Sequence, residues 1–338
     1  MLKKIKLSHD FNVFLKADYS LHSGSCISHQ KQELQDVHEK YGGFPKTITN
    51  ENTQISQIWF DNTQIDFIKI GNDLGMEVIT ISSILQPPGN IVPIHRDTFY
   101  QINKKYPKDT RHKVRANIYL EDWIEGQFIH YEIDGQWHNS THWKAGDGFI
   151  WDSQHLHLRQ RRFQEQIHAT GFRLFEMMQG KIKVTWERSD YEHLPWQENE
   201  NHAAKIISKV AVNPHNLGNL MCFDEKLLEK FYDAVSKFEL DKKVIAINKF
   251  RPGQMLPFHS DKYETYRKKN KITENDVIQR VIVFLHDPKP GHQLWIKDKI
   301  CMGPAGSYFA WEGETEHMAA NLGIEDRYVL QLTGVKRK

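Results

Sequence analysis

The feature that most constrains this chain is that it repeats itself, with a period of about 160 residues. Pro88-Gly89 is followed by Pro93, His95 and Asp97, and Pro252-Gly253 by Pro257, His259 and Asp261. Next come residues 115–122 and 280–287, each opening on Arg, running through apolar residues and leading to Gly126 or Gly291. Ala145-Gly146 then leads to Phe149 and Trp151, as Ala305-Gly306 leads to Phe309 and Trp311. Continued without a gap, that register sets His157 opposite His317. Last, Arg173 stands seven residues before Gly180, and Arg327 seven before Gly334. Four blocks in one order make the chain read as a tandem duplication, and 338 residues can bury two separate cores.

Within each block the patterning is that of strands. Residues 78–84 and 244–250 are short, rich in β-branched side chains, and precede a Pro-Gly turn. Residues 117–120 and 281–285 are apolar runs of buried-strand length, and 327–333 alternate. Helical spacing lies outside the blocks: Asp224 is a candidate N-cap for a helix over 225–238, and 30–41 form a more polar candidate. The expected class is mainly β with flanking helices (α+β). Two domains, 1–186 and 202–338, are expected on either side of a polar linker, 187–201, that contains Pro195.

A net charge of +2 gives no general attraction for nucleic acid, and the basic runs near 111–115, 159–162, 267–271 and 336–338 read as solvated loops and a tail. Three scattered cysteines without a CxxC point to a reducing compartment, and away from a disulfide framework or a thiolate metal site. The first ten residues are charged, so no secretory leader is expected there, and no run approaches the roughly 20 apolar residues of a membrane span. The expectation is a cytoplasmic protein with no membrane partner. The sequence leaves the oligomeric state open.

His-x-Asp at the end of a strand sends an imidazole and a carboxylate to the same side, because residues i and i+2 share a face. A second imidazole from a distant strand completes a two-His, one-carboxylate face with open positions, the ligand set of non-haem Fe(II) oxygenases. The intervals are 60 residues from Asp97 to His157 and 56 from Asp261 to His317, room for several strands. A later Arg offers a planar fork that fits a carboxylate bidentately.

The series P-x-H-x-D, a distal His, and an Arg ten residues beyond it resembles the Fe(II)/2-oxoglutarate-dependent dioxygenase superfamily, most closely over residues 317–328. The resemblance implies a double-stranded β-helix (jelly-roll, cupin-like) core in each half. It implies Fe(II), with O2 and 2-oxoglutarate as co-substrates and succinate and CO2 as co-products. The substrate would be an amino acid, a peptidyl side chain or another small molecule, hydroxylated at a C–H bond. Carried over, the iron ligands are His95, Asp97 and His157 in one copy and His259, Asp261 and His317 in the other. Arg173 and Arg327 match the anchor for the far carboxylate of 2-oxoglutarate.

The first copy departs from this pattern. Arg173 lies sixteen residues past His157, and His155 is a rival ligand on the same strand face. Two other readings stay open: one catalytic copy beside a substrate-binding or scaffolding copy, and a cupin-like metal- or sugar-binding module without oxygen chemistry. Trp151 and Trp311 read as core packing, Arg115 and Arg280 as structural ion pairs, and Asp122 and Asp287 as turn formers. His130, His138 and His142 read as exposed loop residues.

Overall fold

The computed structural model describes residues 3–29, 37–39, 44, 48–87, 89–124, 127–160, 177–199 and 217–336. The chain divides into two compact units, Met1–Glu165 and Gln166–Lys338. Both are mainly β, with short helices, and among the described residues no helix is long and apolar enough to cross a membrane.

Among its described residues the first unit holds ten strands: β1 (Lys3–Lys6), β2 (Ser23–Ser25), β3 (Gln54–Phe60), β4 (Ile81–Leu85), β5 (Ile91–His95), β6 (Val114–Ile118), β7 (Phe128–Ile133), β8 (Gln136–Ser140), β9 (Asp147–Asp152) and β10 (His157–Gln160). They form sheets in the orders β1-β9-β6, β2-β3-β4 and β5-β10-β7-β8, with antiparallel pairing throughout. Ile129 and Tyr131 of β7 meet Phe149 and Trp151 of β9, which makes the layer between two facing sheets. The helix Phe67–Leu74 buries Ile70 beside Phe60 of β3.

The second unit holds β11 (Met178–Lys181), β12 (Gln197–Glu198), β13 (Leu220–Cys222), β14 (Leu240–Phe250), β15 (Met255–His259), β16 (Ile278–Phe284), β17 (His292–Ile296), β18 (Lys299–Ile300), β19 (Ser307–Glu312), β20 (His317–Asn321) and β21 (Arg327–Lys336). A seven-stranded sheet runs β11-β19-β16-β21-β14-β13-β12, and a four-stranded sheet runs β15-β20-β17-β18. This is a jelly-roll sandwich.

Alternation along the strands builds two cores. Ile282, Phe284, Phe309, Trp311 and Val329 face Leu294 and Ile296 of the smaller sheet. Their strand neighbours Val281, Val283, Ala310, Leu330 and Leu332 face outward, where Phe231 and Val235 of the helix Glu229–Val235 cover them. Every residue of β16 is therefore buried, which explains the apolar run from Val281 to Phe284.

Several sequence expectations move. The helix expected over 225–238 begins at Glu229, because Asp224 caps an earlier turn through the backbone N–H groups of Lys226 and Leu227. The division between units falls before residue 186. The described part of the expected linker, 187–199, belongs to the second unit: Tyr191 is buried in its core and Gln197–Glu198 form β12. Gly180 does not echo Gly334, since it lies in β11, paired with Tyr308 of β19. Arg173 and most of the helix candidate 30–41 lie outside the described residues.

Candidate metal centres

In each unit the Pro-x-His-x-Asp segment ends a strand of the four-stranded sheet, and the distal His starts the strand beside it. His157 of β10 pairs in register with His95 of β5, and His317 of β20 with His259 of β15. The result is two groups, His95–Asp97–His157 and His259–Asp261–His317, in which one ligand atom from each residue lies within 4.8 Å of the others. The sequence left His155 and His157 as rivals. His155 instead closes a turn, its Nδ1 2.8 Å from Asp152 Oδ1, while His157 joins the cluster.

All four imidazoles are oriented in one way. Nδ1 lies against the carbonyl oxygen two residues earlier: His95 on Pro93 at 2.8 Å, His157 on His155 at 3.2 Å, His259 on Pro257 at 2.6 Å and His317 on Thr315 at 2.8 Å. A carbonyl only accepts, so Nδ1 carries the proton and Nε2 keeps its lone pair for a metal. The Nε2 atoms lie 3.7 to 4.0 Å from a carboxylate oxygen of Asp97 or Asp261. Two metal–ligand bonds of about 2.1 Å reach across at most about 4.2 Å, so both groups fit a shared ion. Burial first, then the neighbouring His317, push His259 down to about 4, leaving the neutral form a metal requires.

The carboxylates are held from a different sheet of the same unit, through Arg115 of β6 and Arg280 of β16. Arg115 Nη1 lies 2.5 Å from Asp97 Oδ1, and Arg280 Nη2 donates to Asp261 Oδ2 at 2.6 Å. The structural ion pairs expected for these arginines thus form with the candidate metal ligands themselves. Each guanidinium also rests on an aromatic ring two residues past the Asp, Phe99 at 5.8 Å and Tyr263 at 5.3 Å. Both aromatic residues adopt a left-handed backbone, with φ of 55° and 54°. Sequence reading passed over this pair; an aromatic residue at the same offset in both repeats was the available signal. Trp151 and Trp311 are core residues as expected, and both rings also touch the distal His.

The two centres differ in closure. His95, Asp97 and His157 are all buried; Asp97 is 0% exposed, with Arg115 at one oxygen and Trp151 Nε1 donating to the other at 2.6 Å. Burial raises the Asp97 pKa, but Arg115, His157 and His95 outweigh it and hold the carboxyl well below its usual range. A cleft of about 1860 Å³ in this unit is walled by Phe99 and Arg115, and none of the three ligand residues lines it. In the second unit His259 and Asp261 stay partly exposed.

Arg327 is 3% exposed, and its Nη1 and Nη2 have no hydrogen-bond partner among the described residues. Its guanidinium carbon lies 5.1 Å from the ring of Phe250 and 5.9 Å from that of Phe284. Burial pushes its pKa down to about 9. A small cavity beside it is lined by His286, His292, Gln293, Leu294 and Cys301. A buried, unpaired fork of N–H donors is a ready receptor for a carboxylate.

Of the three residues read as exposed loop histidines, two lie in strands and His142 is an exposed loop residue. His130 lies in β7, 1% exposed and edge-on to Trp137, and His138 lies in β8, stacked on Tyr131. His142 is exposed and stacks on Trp123. Asp122 and Asp287 both accept from a backbone N–H, of Ala145 and Ala305, across the loop that precedes β9 or β19.

No family model matches this chain, and no curated protein matches it in sequence. Similar solved structures include a Pseudomonas putida prolyl-4-hydroxylase, at 13% identity over 44% of this chain and 97% of that one, TM-score 0.27. They also include a cupin 2 conserved barrel domain protein from Leptotrichia buccalis, at 8% identity over 86% and 92%, TM-score 0.20. A third is a mutant of Bacillus subtilis oxalate decarboxylase, at 10% identity over 84% and 74%, TM-score 0.22. These scores are low, and the fold assignment rests on the strand order itself.

Proposed function

We propose that this chain is an Fe(II)- and 2-oxoglutarate-dependent dioxygenase built from a duplicated domain, with its catalytic centre in the second unit. The observation that carries the reading is the buried Arg327, whose Nη1 and Nη2 have no hydrogen-bond partner among the described residues, in the same barrel as His259, Asp261 and His317. In this reading those three residues hold iron, whose chemistry with O2 and the keto acid supplies oxidation of a substrate C–H bond. Arg327 binds the far carboxylate of 2-oxoglutarate and fixes its direction in the barrel. Arg280 holds Asp261 in place, and the Nδ1–H bonds to Pro257 and Thr315 fix both ring orientations. The substrate class stays as broad as the sequence leaves it: an amino acid, a peptidyl side chain or another small molecule.

Closure of the first centre favours a division of labour. A catalytic metal needs an open side for substrate, whereas closed sites are structural. His95, Asp97 and His157 then form a structural centre, and the cleft ending at Arg115 is a binding surface rather than a reaction chamber. Arg173 keeps its proposed place as a carboxylate anchor of the first copy. Anaerobic addition of Fe(II) and 2-oxoglutarate is expected to give a weak visible absorption band, followed in air by succinate release. Both should persist in Asp97→Ala and vanish in Asp261→Ala. No band and no succinate from the wild type would sink the proposal.

A further inference from the structure

The inner face of β21 carries an unexpected polar residue. Arg327, Val329, Gln331 and Thr333 alternate toward the smaller sheet, and Val329 belongs to the core between the sheets. From Arg327 to Gly334, Gln331 is the one residue that is not fully buried. It sits opposite Ile282, whose neighbour on the same face is Arg280, and two residues before Thr333, which lies opposite Arg280. Gln331 therefore lies along the barrel between the guanidinium of Arg327 and the arginine that holds Asp261.

The direction of its amide is fixed by a ladder. Asn219 Nδ2 donates to the backbone carbonyl of Leu220 at 3.3 Å, and a carbonyl can only accept, so the Asn219 amide cannot be turned round. The same Nδ2 donates to Asn248 Oδ1 at 2.7 Å, which leaves Asn248 Nδ2 to donate to Gln331 Oε1 at 3.1 Å. Asn219 and Asn248 are 3% and 4% exposed, so the ladder is a built feature of the interior. Each rung passes the polarity on, and Gln331, on the inner face of β21, ends the ladder with its oxygen used and its two Nε2 donors left over.

We propose that Gln331 is a second anchor for the keto acid, its Nε2 donating to an oxygen of the dicarboxylate whose far end Arg327 holds. This rests on the proposed function of the second unit. Four residues of strand separate the two Cα atoms by about 13 Å. Two long side chains on one face narrow that gap to the scale of a short dicarboxylate. Phe284, one of the rings beside the Arg327 guanidinium, pairs with Val329, between Arg327 and Gln331. The ligand class follows from the donors: a guanidinium at one end and an amide N–H further in select a molecule with oxygen acceptors at both ends.

The test is binding of 2-oxoglutarate to the full-length Mn(II)-loaded protein by calorimetry, with thermal melting as a check on folding. Gln331→Met is neutral and of similar length, and is expected to bind about tenfold more weakly, the usual loss for one hydrogen bond to a charged group. Gln331→Lys keeps a donor but loses the acceptor for Asn248, and should bind at least as well as Gln331→Met. Gln331→Glu keeps that acceptor and loses the donor; it should melt like the wild type yet bind worst. If Gln331→Met fails to fold, Gln331→Glu decides alone. Binding within twofold of wild type in Gln331→Met, or in Gln331→Glu where it decides, while Arg327→Met abolishes it, overturns this inference and leaves the proposed function standing. A wild type that binds no 2-oxoglutarate overturns both.

Discussion

Arg327 shows what a buried, unpaired charge costs a fold. Its terminal nitrogens are buried without hydrogen-bond partners among the described residues, and a buried charge lacking a partner is worth less to the folded state than an apolar group of the same shape. Arg327→Met should therefore raise the melting temperature of the ligand-free protein, by about 1 kcal/mol or more of stability, while abolishing 2-oxoglutarate binding. A lower melting temperature in that variant would show that the guanidinium is structurally satisfied. His130 makes a second prediction. Burial pushes it down to about 3, so the folded protein keeps it neutral where an unfolded chain, at about 6.5, takes up a proton. The folded-state pKa is the lower one, so stability falls as pH drops from about 6.5 toward 3, by roughly 1.4 kcal/mol per pH unit. Denaturant melts at pH 7 and pH 5 should show that loss shrinking in His130→Phe; an unchanged acid slope would assign it to other groups. At this scale the sequence was readable where residues recur in register, as His95, Asp97, His259, Asp261 and His317 do. It left His155 and His157 open because both share one strand parity, and only the turn at Asp152 takes His155 out of the strand.

Elements were legible where one periodicity governed them. The runs that form β6, β9, β14, β16, β19 and β21 are visible as short apolar or β-branched segments, since strands buried on one or both faces must look like that. β11 was hidden. Met178–Lys181 is exposed along its length and carries no pattern, and it joins β19 through backbone pairing at the sheet edge. Its seat depends on Gly306, which has a φ of +82° and whose carbonyl accepts the N–H of Ile182. A Cβ there would lie 2.5 Å from the Ile182 carbonyl oxygen. Gly146 repeats the arrangement under β1, at φ +89° with the Leu7 carbonyl oxygen 2.3 Å from the added atom. Gly306→Ala must strain the backbone and push the edge strand away, a loss of about 2–4 kcal/mol. Hydrogen exchange should then show the amides of residues 178–182 opening before the rest of the large sheet; protection equal to wild type would refute the seating role.

At the scale of the whole molecule, the repeat made two sites readable but could not show that they are unequal. Sequence identity at the ligands says nothing about what closes over them, and closure here comes from residues that differ in their contacts. Trp151 donates to Asp97, while Trp311 Nε1, at the same place in its repeat, has no hydrogen-bond partner among the described residues. Asp97 is sealed and Asp261 is not. The expected linker was read from composition for a similar reason: Tyr191 is a core residue set in a polar stretch. If closure separates a structural from a catalytic centre, the two carboxylates should fail differently. Asp97→Ala leaves the Arg115 charge without its buried partner, so about 3 kcal/mol of stability should be lost while the second unit still binds keto acid and releases succinate. Asp261→Ala should lose turnover; it leaves the more deeply buried Arg280 without its partner, so its loss of stability should be no smaller. Metal analysis of the purified variants should give one ion fewer in each. Loss of turnover in Asp97→Ala with a folded second unit would mean that both centres work and that burial in the first does not mark a structural site.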